Sequence, residues 1–160
     1  MPVLFAGKIG TNLVETFPMA ITREVLDRGR QRFDIYCSPC HGRTGEGNGM
    51  VVQRGYRQAA SYHIDRLRNA PVGYLFDVVT NGFGVMPDYK AQIPVEDRWL
   101  IIAYVRALQL THRATTSDVP GGDLSLLDRP AKSTGSGEPG KEGKDDKEVA
   151  QGGHKAGGLE

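Results

Sequence analysis

Cys37 and Cys40, followed at once by His41, constrain this chain more than any other feature. They are the only two cysteines in 160 residues, and they stand three positions apart. A structural disulfide framework uses more cysteines at wider spacing. Joining this pair would close a very short loop and remove little entropy from the unfolded chain. The pair is therefore chemical rather than structural. On a helical turn, residues three apart share a face, so two thiols and an adjacent imidazole can meet one ligand.

Three chemistries use a C-x-x-C pair. A thioredoxin-like redox centre wants a βαβ setting, and this region follows a helical pattern with no flanking strands. A structural zinc site wants four ligands, but His63, His112 and His154 are scattered singly. The third reading is covalent haem c, whose attachment signature is C-x-x-C-H, here Cys37-Ser38-Pro39-Cys40-His41. In that reading each thiol takes one porphyrin vinyl group, and His41 offers a ring nitrogen to the iron. The motif occurs once, which predicts one haem c.

Met86 is the candidate for the other axial position. It sits in Gly82-Phe83-Gly84-Val85-Met86-Pro87, a glycine-flexed loop that can fold back over a ring held earlier in the chain. Pro87 keeps Met86 out of helical backbone. A thioether opposite histidine suits a high-potential carrier. Met50, in the glycine-rich loop beside the motif, reads as a packing residue, and Met19, in the N-terminal arm, is a poor candidate. His63 is the rival ligand but reads as a surface or propionate-side histidine, and His112 as the end of a helix. For the haem carboxylates the donors considered are Arg54, Tyr56, Arg57 and Trp99, with Arg54 preferred because it follows the attachment site closely. Arginine suits such groups through its planar fork.

The expected fold is all-α. Residues 1–21 show no clear periodicity and read as an N-terminal arm. Residues 22–112 form the domain. Residues 113–160, poor in apolar side chains and rich in Gly, Ser, Lys, Glu and Asp, read as an extended to disordered tail, with Leu124, Leu126 and Leu127 as a weak anchor. The first helix runs from Thr22, a good N-cap, toward Tyr36, with Val25, Leu26, Gly29, Phe33 and Tyr36 near one face. The second begins near Pro71 and stops at Gly82. The third runs from Pro94 to about Leu110, with Trp99, Ile102, Val105 and Leu108 on its apolar face and Ala103 as a close-packing point. A short helix is expected around Asp65 to Ala70.

The formal charge is +1, from 20 basic and 19 acidic residues, and no basic stripe supports nucleic-acid binding. No segment is long and apolar enough to span a bilayer. The first twenty residues do not read as a signal peptide, so an export signal is expected to lie outside this chain.

Residues 22–112 resemble the class I cytochrome c family. Longer strings resemble the monohaem cytochrome c subunit of bacterial alternative complex III. They are Tyr36 to Arg43, Gly45 to Met50, Gln53 to Tyr56, His63 to Leu67, Thr80 to Gly84 with Met86-Pro87, and Pro94 through Arg98-Trp99. The resemblance implies a class I cytochrome c fold around one covalent haem, in a membrane-bound quinol-oxidising complex on the periplasmic side of the bacterial inner membrane. The subunit would accept electrons from neighbouring haem and iron–sulfur subunits and pass them to a terminal oxidase or a soluble carrier. The chain departs from that family in having no cysteine before Cys37 to carry a lipid. The expectation is an electron carrier rather than an enzyme. The alternatives are a free periplasmic shuttle and a haem peroxidase, which needs an open iron position.

Overall fold

The computed structural model describes residues 2–119. Among them run α1 (Pro2–Ala6), β1 (Lys8–Ile9), β2 (Asn12–Leu13), α2 (Arg23–Tyr36), α3 (Ser38–His41), α4 (Met50–Gln53), α5 (Asp65–Arg68), α6 (Val72–Asn81), α7 (Val95–Thr111) and a 3-10 turn at Thr116–Asp118. The expected tail, with Leu124, Leu126 and Leu127, lies outside the described residues except for its first few positions.

Helix α2 begins where its cap dictates. Thr22 is extended, and its hydroxyl accepts a hydrogen bond from the Val25 N–H at 3.4 Å, meeting one of the donors a helix start leaves unpaired. The helix crosses α7 at Gly29. A Cβ there would strike the Leu100 carbonyl and press on Tyr104, so the missing side chain sets the closeness of the crossing. Phe33, a turn later, is fully buried, with its ring 5.3 Å from that of Tyr104 in edge contact. Ala103 is buried on the facing helix.

One buried charge fixes this crossing. Asp97 lies in the first turn of α7, where the sequence suggests only a favourable charge for the helix dipole. It is buried instead, and Arg28 of α2 grips it at both oxygens, each 3.1 Å away. Arg32 brings its Nε to 3.0 Å, close in charge but not aligned to donate. Planar bidentate pairing of this kind adds direction as well as attraction.

Residues 1–21 were expected to form an extended arm, and here the structure differs. α1 leads into a hairpin pairing Lys8 with Leu13 and Ile9 with Asn12. Gly10 supplies the positive φ that its tight turn requires. The segment docks on the core. The Trp99 indole N–H donates to the Leu4 carbonyl at 2.7 Å, and the Gly73 N–H, an otherwise unpaired donor at the start of α6, donates to the Val14 carbonyl at 2.9 Å. A Cβ on Gly73 would collide with the Gly7 carbonyl. Five helical residues and two short strands carry no periodicity to read. Their stability comes from partners about 60 to 95 positions later.

The core gathers Phe33, Leu67, Val72, Leu75, Phe76, Ile93, Trp99, Ile101, Ile102 and Val105. Arg106, in the last third of α7, donates to the carbonyls of Leu67 (3.2 Å), Arg68 (2.9 Å) and Ala70. It thereby caps α5 and pins the segment that leads into α6.

Candidate haem site

The attachment motif is delivered by the end of α2. The Cys37 N–H donates to the Phe33 carbonyl at 2.9 Å, and the Cys37 carbonyl accepts from Cys40 and His41 at 3.2 and 2.9 Å. One helical turn therefore carries both thiols and the imidazole to the same cavity. Pro39 fits because a first turn does not need its N–H. The following loop closes over the turn, with the Gly47 N–H donating to the His41 carbonyl at 2.8 Å and the Gly49 N–H to the Cys40 carbonyl at 2.9 Å. A side chain at Gly47 would run into the Ala59 carbonyl, and one at Gly49 into the Pro39 carbonyl.

His41 is oriented from behind. Its Nδ1 lies 3.1 Å from the Ala60 carbonyl, so the neutral ring donates there and keeps its lone pair on Nε2. Burial lowers its pKa, and the Ala60 bond opposes this in part. The Tyr62 ring stacks on it, with centroids 4.5 Å apart and 18° between planes. Burial, with a smaller contribution from Cys40, pushes the Cys37 thiol up to about 12. A redox-active pair needs a stabilised thiolate, and burial works against one at Cys37. Both cysteines are free. Among the described residues, the cluster of three metal-ligating side chains contains neither of them, which also disfavours zinc at the pair.

The cavity has a volume of about 580 Å³, within the usual range for a cofactor site. Cys37, Cys40, His41 and Met86 all line it. Met86 is held by a tight turn in which it and Phe83 exchange backbone hydrogen bonds of 3.0 Å, with Gly84 at φ 60°. Leu75, Val78, Val79, Ile101, Ile102 and Val105 make apolar walls, and Arg57 and Arg66 bring cationic groups to the lining. Two thiols, an imidazole nitrogen, a thioether, apolar walls and two guanidinium groups match the needs of a flat macrocycle that bears two carboxylates.

Several sequence expectations change. Arg54 does not line the cavity, whereas Arg57 and Arg66 do. Trp99 is fully buried with its N–H committed to Leu4, which removes it from the carboxylate donors. Tyr56 lines the cavity and donates to the Val85 carbonyl at 3.4 Å. His63 is absent from the lining and sits against the Thr44 carbonyl, 2.7 Å from Nε2, so it is neither an axial nor a propionate-side residue here. Met19 packs against the core, and Met50 is exposed rather than packed. Sequence reasoning missed Ala60, Tyr62 and Arg66. A usable signal existed in the tyrosines, because five of the six, all but Tyr104, line this cavity.

Comparison with curated proteins finds no match. Among solved structures, the chain resembles the reducing HAO-like protein complex Kustc0457/Kustc0458 of Kuenenia stuttgartiensis at 17% identity and a TM-score of 0.50. That match covers 67% of this chain and 54% of the other, so the chain spans about half its length. The c-type cytochrome KustC0563 aligns at 17% identity and a TM-score of 0.44 over 51% of this chain and 96% of its own. Cytochrome cL from Hyphomicrobium denitrificans aligns at 22% and 0.40, over 51% of this chain and 46% of its own. The fold is that of class I cytochromes c. The family profile described as cytochrome C oxidase, cbb3-type, subunit III matches residues 24–105, just over half of the 160. The chain belongs to this cytochrome c family, a domain that holds covalent haem c and transfers electrons.

Proposed function

We propose that this chain is a one-haem electron carrier in which Cys37 and Cys40 form the thioether links and His41 and Met86 ligate the iron. The observation that carries the reading is that these four side chains line a single apolar cavity. Haem supplies a one-electron iron couple when bound. The protein's part is orientation and environment. The Ala60 carbonyl fixes the His41 ring so that Nε2 is free to coordinate. The Met86 thioether is a weak donor, and weak donation raises the potential. The apolar walls lower the local dielectric, which disfavours added charge. Arg57 and Arg66 supply charge-assisted donors for carboxylates.

The proposal extends to the setting. We assign the chain to a membrane-bound quinol-oxidising complex of the alternative complex III kind, on the periplasmic side of the bacterial inner membrane. It would relay electrons from other subunits to a terminal oxidase or a soluble carrier, without substrate turnover of its own. The strings from Tyr36 to Trp99 support this reading. None of the described helices is long and apolar enough to cross a membrane, so the proposal gives the membrane contact to neighbouring subunits.

Two measurements test these statements. Haem should survive denaturation and acid–organic extraction at one per chain. Purification of the native protein from membranes should bring quinol-oxidising haem and iron–sulfur subunits with it. Recovery of the chain alone in the soluble periplasmic fraction would replace the complex with the free shuttle.

A further inference from the structure

His63, read from sequence as a rival haem ligand, stands in a cluster of its own. Glu46, from the glycine-rich loop after the attachment motif, His63, and His112, at the end of α7, each offer a ligand atom, and these atoms lie within 4.8 Å of one another. The His112 Nε2 is 3.3 Å and the His63 Nε2 3.8 Å from the same Glu46 oxygen, Oε1. Ligands about 2.1 Å from a tetrahedral ion stand roughly 3.4 Å from one another, so the His112–Glu46 spacing already approaches an edge of such a site.

The cluster has coordinating capacity that the fold does not use. The His63 side chain is 8% exposed. Its Nε2 meets the Thr44 carbonyl, but its Nδ1 is buried with no partner among the described residues. A neutral histidine held by a carbonyl at one nitrogen is the usual state of a metal-binding imidazole. His112 caps the C-terminus of the 17-residue α7, the helix end that favours positive charge. Its side chain is 40% exposed and that of Glu46 41% exposed, so an ion can reach both.

We propose that Glu46, His63 and His112 bind a divalent transition-metal ion of the zinc class, with one nitrogen from each ring and the carboxylate as protein ligands and water completing the shell. Two imidazoles and a carboxylate suit Zn(II) and its neighbours and not Ca(II) or Mg(II), which take oxygen ligands. The two rings lie face to face, 3.4 Å between centroids and 13° from parallel. Parallel lone pairs do not converge, so binding turns the exposed His112 ring out of the stack. The site would tie the loop after His41 to the end of α7. It would also brace the segment holding Ala60 and Tyr62, because the Tyr62 N–H donates to the Gly45 carbonyl at 2.8 Å.

Equilibrium dialysis of the untagged, chelator-stripped holoprotein against Zn(II), with zinc and iron counted by elemental analysis, tests the proposal. Wild type should retain one zinc per chain in addition to its iron. Glu46→Gln and His112→Asn, both at accessible positions, should each weaken binding by at least about tenfold while leaving the haem spectrum unchanged. His154→Gln should have no effect. In NMR spectra, Zn(II) should shift the His63 and His112 ring protons as the stack opens. Failure of wild type to retain zinc overturns the site, as does retention undiminished in both Glu46→Gln and His112→Asn, or its loss on His154→Gln.

Discussion

The two flanks of α7 are buried in different ways. Toward α2, the surface is closed by protein atoms: Gly29 against Leu100, Phe33 against Tyr104, and Arg28 on Asp97. Toward the cavity, Ile101, Ile102 and Val105 present side chains to a space of about 580 Å³ that no protein group fills. Interiors are close-packed. One flank is thus closed by the polypeptide, and the other presents its apolar side chains to the space proposed for the haem.

The largest effect expected from this asymmetry is at the attachment pair. Replacing both Cys37 and Cys40 with Ser should let acid–organic solvent extract the haem, and should lower the thermal midpoint by at least about 10 °C. If wild-type haem extracts as easily, the covalent assignment fails, and the contrast between the flanks loses its chemical basis.

Changes at Met86 come next, and they act on the cavity flank alone. Met86→Ala should open the iron to added ligands such as cyanide or imidazole, followed by absorption spectra. Met86→His should lower the potential by more than about 59 mV, tenfold in a one-electron equilibrium. His63→Ala should leave the spectrum and potential nearly unchanged. A spectrum controlled by His63 and indifferent to Met86 would sink the ligand assignment.

Gly29→Ala probes the closed flank. Alanine gains about 1 kcal/mol of helix propensity, but its Cβ meets the Leu100 carbonyl, and overpacking costs about 1–3 kcal/mol. Against backbone the clash should win, giving a net loss of up to about 2 kcal/mol in denaturant titration with the haem spectrum intact. A stabilised variant would mean that the crossing is looser than described.

The smallest effect should come from Trp99→Phe, which removes the donor to Leu4. It should lower stability by about 1–2 kcal/mol and speed amide exchange in α1 more than in α2. Uniform exchange would show that the N-terminal segment is not held by this bond.

What the sequence makes legible is local. Thr22, Pro71 and Pro94 are the N-caps of α2, α6 and α7, because caps and first turns depend on neighbours within a few residues. The attachment motif is readable for the same reason: its cysteines and histidine share one turn. Met86 reaches the cavity through a short glycine turn that the sequence also displays. The choice among arginines is not legible in this way. Arg54 is nearer the motif in sequence, but Arg57 and Arg66 line the cavity, and that depends on how residues 55–66 wrap back to the Ala60–His41 contact. Nor does the sequence reveal that Asp97 is buried, since its partners lie on another helix.

That pairing also bears on how the chain folds. Arg28 and Asp97 are separated by 69 positions, and the principal helix crossing joins the two ends of the domain. Helical proteins fold fast when their contacts are short in sequence, and slowly as contact order rises. Here a long loop must close before the crossing forms, at an entropic cost that increases with the logarithm of loop length. The chain should therefore fold at rates nearer those of mixed α/β domains than of helical bundles. Until α7 arrives, Cys37 and Cys40 would stand open at the end of α2, accessible for the covalent attachment proposed for them.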